Sequence, residues 1–157
     1  MKKTALLLLG LLSAGAATAA ENQVRYPQGF RSWYHVKSMV IMPGHPLANP
    51  FGGIHHVYAN YKALQGLKTG RYPKGAVFVF DLWDYAEDNH ALVEKQRKLI
   101  GVMEHDDQRF AATGGWGFEG FGGGKPNKRL VTDGGKGCFE CHQAREDHRY
   151  VFSELRD

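Results

Sequence analysis

Five residues near the C-terminal end constrain this chain more than any others: Cys138-Phe139-Glu140-Cys141-His142. They contain both cysteines of the sequence, three positions apart, with a histidine directly after the second. For randomly placed residues that coincidence arises roughly 6 times in 10,000. The spacing is the attachment pattern of a c-type haem. Two thiols add across the vinyl groups and fix one porphyrin edge, so the adjacent imidazole falls within bonding reach of the iron. Three other readings compete. Two cysteines in an exported protein ordinarily form a disulfide. Thioredoxin-like chemistry expects a preceding strand in a βαβ setting, whereas Gly134-Gly135-Lys136-Gly137 comes first. A zinc site needs further ligands, and His148 completes no familiar zinc spacing.

The N-terminus bears on the redox compartment. Lys2 and Lys3 precede an apolar stretch, Ala5 to Leu12, and Ala17-Thr18-Ala19 supplies the small residues read by a signal peptidase. The apolar run is shorter than the ~20 residues a membrane span requires. Residues 1–19 are therefore expected to be a signal peptide, cleaved before Ala20 or Glu21, leaving one domain over 20–157. The double-lysine start points to a Gram-negative periplasm. The formal net charge of +4 falls to +2 once Lys2 and Lys3 are removed. A chain so nearly balanced, with no basic block, offers no electrostatic case for nucleic acid.

The motif's place matters too. In small electron-transfer cytochromes it lies early, and a downstream methionine closes the sixth coordination position. Here fifteen residues follow His142 and none is Met. A sixth ligand has to come from upstream, where Met39, Met42, Met103 and six histidines are candidates, or be missing. An open position favours small-molecule binding over simple electron transfer.

Along the body, Phe30, Trp33, Tyr34 and Lys37 fall at helical spacing and predict a short amphipathic helix. Residues 42–50 read as a loop, Ile54 to Asn60 as a strand, and Tyr61, Leu64 and Leu67 as a helix ending near Gly70. After the turn Arg71 to Gly75, Ala76 to Leu82 form the clearest strand. Phe78 and Phe80 lie on one face and Val77 and Val79 on the other, which predicts a central position. Trp83 to Glu94 read as a polar loop, with Asp81, Asp84, Glu87 and Asp88 on a solvated edge. Arg97 to Met103 read as a strand, and Asp106 or Asp107 as the cap of a short helix through Phe110. Gly115 to Phe121 formally match GxGxxG, but no helix follows, so a packed aromatic strand is the better reading. Residues 122–137 read as a flexible approach to the cysteines. The absence of a βαβ rhythm predicts an α+β fold, mainly antiparallel sheet with short helices.

Several runs together resemble the cytochrome P-460 superfamily. They are Phe30-Arg31-Ser32-Trp33, Phe51 to Asn60, Phe110 with Gly115-Trp116-Gly117-Phe118, and Cys138 to His142 followed by Val151-Phe152. The resemblance implies a periplasmic, mostly antiparallel β protein, usually a homodimer, with one covalently attached, five-coordinate haem c. It also implies two functional branches. One oxidises hydroxylamine, using a haem cross-linked to a lysine and an acidic residue in the distal pocket. The other, cytochrome c'-β, lacks the cross-link, caps the distal pocket with phenylalanines and binds nitric oxide. The cross-linking lysine aligns with Phe80, the distal arginine with His55, and the distal glutamate near Met103; the capping phenylalanines match Phe51 and Phe80. Lys62, Lys68 and Lys74 lie close enough to keep a different cross-link open.

The resemblance thus implies haem binding through Cys138, Cys141, His142, Phe51, Phe80 and His55, with His142 as the iron ligand. Three functions follow as expectations: nitric oxide binding, oxidation of hydroxylamine or nitric oxide, and electron transfer with a periplasmic redox partner.

Overall fold

The computed structural model describes residues 22–156; the expected signal peptide lies outside them. Five strands form one antiparallel sheet in sequence order: β1 (Tyr34–Ile41), β2 (Gly53–Ala59), β3 (Val77–Asp88), β4 (Ala91–His105) and β5 (Trp116–Gly122). Three short helices punctuate it: α1 (Ala48–Phe51), α2 (Tyr61–Thr69) and α3 (Lys136–His142). The class is α+β, as expected. No helix of the described residues is long and apolar enough to cross a membrane.

Local chemistry explains the elements that were read correctly. Asn60 caps α2 by accepting from the Ala63 amide at 2.9 Å, and Gly70 ends it in the left-handed region at φ 71°. β3 is central, with β2 and β4 on either side, and its alternation sorts two apolar clusters onto opposite faces. One face gathers Val57, Ala59, Phe78, Met103 and Phe118, with Phe80 packed against them. The other gathers Val79, Ile100, Val102, Phe110 and Phe121. The GxGxxG run is β5, with Trp116 and Phe118 both buried.

Three expectations are corrected. The helix over 30–37 is a single 3-10 turn, Phe30–Ser32, followed by β1. A bulge between His35 and Lys37 offsets the pairing with β2 and breaks the period-two signal. The polar loop over 83–94 is a long two-stranded arm, in which β3 and β4 pair as far as Asp88 and Ala91. Its tip, Asn89-His90, has φ of 49° and 64°, the left-handed pair that a tight hairpin requires. Asp81 is not on a solvated edge. It is fully buried, accepting from Arg97 Nε at 2.7 Å and Arg31 Nη2 at 3.3 Å.

Two smaller points follow. Asp106 caps a turn rather than a helix, its Oδ1 accepting from the Gln108 and Arg109 amides, and the chain then enters a 3-10 turn at Ala111–Thr113. The approach to the cysteines is pinned to the sheet by an Arg129–Phe121 bridge and by the 2.7 Å ion pair from Arg129 to Glu119.

Candidate functional site

The Cys-x-x-Cys-His run forms α3. Helix periodicity places Cys138, Cys141 and His142, spaced i, i+3 and i+4, on one face. Asp133 organises the start of that helix: its carboxylate accepts from the amides of Gly135 at 2.9 Å and Gly137 at 2.8 Å. Those two bonds, the Gly137 amide first, hold its carboxyl below the usual range. Gly135 lies against Phe118, where a Cβ would come within 3.1 Å of the Phe118 Cβ, so α3 docks closely on β5.

His142 has well-defined surroundings. Its Nδ1 lies 2.6 Å from the carbonyl oxygen of Tyr150, an arrangement in which Nδ1–H donates and the Nε2 lone pair is left for a metal. The rings of Phe118 and Phe152 flank it at 5.0 and 5.1 Å. Burial lowers the His142 pKa, partly opposed by the Tyr150 bond, which favours the neutral imidazole that coordinates metals. The two thiols are not joined. Cys138 is half-buried against the Phe78/Phe118 cluster, and burial raises its pKa, with the Asp133 carboxylate adding to the effect.

A second group of residues borders the same cluster. Register places Val57 opposite Phe80 and His55 opposite Leu82, so His55 and Phe80 are diagonal neighbours on one face. Their rings lie 4.3 Å apart at 34°. Phe51, at the end of α1, meets Phe80 edge-on at 6.0 Å and 84°. The structure therefore brings Phe51, Phe80 and His55 together. Gly53 makes the corner between α1 and β2 possible: its φ is 138°, and a Cβ there would lie 2.2 Å from the Trp83 carbonyl oxygen. Lys98 secures the same corner by donating to the Gly52 carbonyl at 2.8 Å.

His55 is 2% exposed, and its Nδ1 has no hydrogen-bond partner. Desolvation, helped by the charge of Lys37, pulls its pKa from 6.5 down to about 4, so the ring is neutral at ordinary pH. Beside Phe80 the sheet is built of glycines. Phe80 pairs with Gly101, and Gly101 with Gly120, so at this level β4 and β5 contribute no side chain of their own, and the Leu130 side chain covers Gly120. Leu130, 45% exposed, lies over Gly120, and Phe152 is 43% exposed next to His142.

The carboxylates of these strands are engaged elsewhere: Asp81 with Arg31 and Arg97, Glu104 with Arg109, and Glu119 with Arg129. Among the described residues no group of three or more His, Cys, Asp and Glu is arranged to hold a bare metal ion, and the sheet contains no βαβ unit around the cysteines. Neither the zinc nor the thioredoxin reading finds support there. Of the methionines, Met39 and Met42 are about half exposed, while Met103 is buried between its neighbours Phe78 and Phe118.

The sequence pattern of the Cytochrome P460 family matches residues 27–153. The chain belongs to that family. Cytochromes P460 bind haem, and the chain's residues fit such a group: an imidazole with Nε2 available, two thiols on the same helix face, and exposed apolar side chains, Phe152 beside His142 and Leu130 over Gly120. No curated protein matches the chain. Membership makes the chain a haem-binding cytochrome with an iron centre. Three site features had no side-chain signal in the sequence or went unassigned: the Tyr150 carbonyl, the Phe118 and Phe152 rings around His142, and Lys98 at the Phe51 corner. Only the family motifs that include Trp116, Phe118 and Phe152 could have pointed to any of them.

Proposed function

We propose that this chain is an exported, periplasmic monohaem cytochrome of the c'-β type that binds nitric oxide. In this reading Cys138 and Cys141 form thioethers to one haem, and His142 Nε2 ligates its iron. Phe51 and Phe80 crowd the opposite side. The observation that carries the reading is the Phe51–Phe80–His55 group, whose Phe80 packs on the same apolar cluster as Cys138.

A ferrous haem with an open sixth position binds nitric oxide through metal orbitals, without a distal hydrogen bond, whereas bound dioxygen gains from a distal donor. Two phenyl rings donate nothing and exclude water. His55 is the polar member of the group, and Phe80 lies against its ring at 4.3 Å. The pocket therefore favours nitric oxide over dioxygen.

Oxidation of hydroxylamine needs protons removed as well as electrons, so a positioned base contributes strongly. Asp81, Glu104 and Glu119 alternate onto the opposite sheet face and are paired with arginines, and Met103 offers no base. Two of the three lysines close to the site are also engaged: Lys62 donates to the Lys74 carbonyl at 2.8 Å, and Lys74 pairs with buried Asp106 at 3.0 Å. Both features support the binding reading over the enzymatic one. Of the candidate sixth ligands for electron transfer, Met39 and Met42 are about half exposed, and His55 lies against the Phe80 ring.

The reading includes a homodimer through the outer edge of β1, where Tyr34, Met39 and Val40, with Met42 and Leu47 beyond, expose apolar surface. Titration of the reduced, haem-loaded protein with nitric oxide tests the function: a new absorption spectrum at stoichiometric ligand is expected, and an unchanged spectrum rejects it. Light scattering during gel filtration tests the dimer.

A further inference from the structure

Arg149 and Tyr150 stand in the left-handed region one after the other, at φ 56° and 67°. Neither is glycine, and unlike Asn89-His90 they do not form the two-residue turn of a hairpin, so the contacts around them have to offset the cost of the conformation. Their carbonyls have separate buried destinations. The Arg149 carbonyl accepts from Trp116 Nε1 at 2.9 Å, and the Tyr150 carbonyl accepts from His142 Nδ1 at 2.6 Å. The donor on the first is immobile. Trp116 is 1% exposed, and Tyr72, Phe78 and His105 surround its ring at 5.1, 6.1 and 4.7 Å.

The rest of the loop is fixed as well. The Tyr150 amide donates to the Arg145 carbonyl at 2.7 Å, and Val151 is buried in the core. The Tyr150 ring sits on Gly114, where a Cβ would lie 2.5 Å from it, and meets Phe139 at 5.1 Å.

We infer that Trp116 is a positioning residue for the iron ligand. By holding the Arg149 carbonyl it fixes the strained Arg149–Tyr150 peptide, and so aims the Tyr150 carbonyl at His142 Nδ1. This rests on His142 being the ligand, as proposed above. A histidine whose Nδ1–H is firmly held by a carbonyl is the more basic donor at Nε2. Trp116 thereby sets the strength of the iron–histidine bond from the first residue of β5, through the Arg149–Tyr150 backbone.

The test is the ferrous iron–histidine stretching band in resonance Raman spectra of haem-loaded protein. Trp116→Phe keeps the aromatic volume and removes the donor, and a shift of the band to lower frequency is expected. Gly114→Ala displaces the Tyr150 ring by a separate route and should shift it the same way, so the inference stays testable if one variant does not fold. Ile100→Val, in the cluster on the other sheet face, should lower thermal stability and leave the band in place. Pigmented Trp116→Phe or Gly114→Ala protein with the parent's frequency overturns the inference. Parent protein that takes up no haem, or whose band is unaffected when His142 is replaced, overturns instead the reading on which it rests.

Discussion

The imidazole of His55 and the ring of Phe80 lie 4.3 Å apart, with their planes inclined by 34°, so a phenyl ring covers the buried histidine on the site's apolar face. The pair leaves a polar group close to the site but without access to it. Removing the cover has a predictable consequence. Phe80→Ala should admit water beside the iron and move the ferric spectrum from five- toward six-coordinate. Because Phe80 is only partly buried, the stability cost should be about 2 kcal/mol, below the ~3–5 of a fully buried phenylalanine. Absorption spectra and urea denaturation check the two effects.

His55 also predicts a pH dependence of stability. Its folded pKa is depressed from 6.5 to about 4, so as pH falls below 6.5 the unfolded chain takes up the proton first. The stabilisation from a neutral His55 is whole above pH 6.5, drains between 6.5 and 4, and does not change further below that. The full loss is up to about 3 kcal/mol. His55→Leu should lose that much less across the same window, measured by urea midpoints at stepped pH; equal slopes in the two proteins would refute the assignment.

Asp81 supports the sheet from the face opposite the site. Asp81→Ala should cost about 2–3 kcal/mol, less than the ~3–5 for breaking a wholly buried pair, because Arg31 and Arg97 remain partly within reach of water. Asp84→Ala, at an exposed site, should change stability by less than about 0.5 kcal/mol. Thermal denaturation of the two variants side by side discriminates between them.

How much of this was legible in the sequence depended on whether a local signal existed. Asn60 and Gly70 mark the ends of α2, and the apolar run through Phe80 marks β3; each is a few contiguous residues with one chemical meaning. The arm beyond Trp83 was missed because both its faces meet solvent, so nothing in it alternates. β1 was missed because Phe30, Trp33, Tyr34 and Lys37 fall at helical spacing while the bulge at Val36 breaks the strand alternation. At the site, Cys138, Cys141 and His142 announce themselves through spacing alone. The meeting of Phe51, Phe80 and His55 depends on strand register and was reached only through family resemblance. The Tyr150 carbonyl has no side-chain signature and is visible only in three dimensions.

The central claim is covalent haem at α3 with His142 as its ligand, and intact-mass analysis of protein matured in a periplasm competent for c-type haem tests it most directly. The account predicts a pigmented chain heavier by one haem, with neither Cys138 nor Cys141 open to alkylation. A colourless chain with two free thiols, or with Cys138 and Cys141 joined to each other, would contradict it.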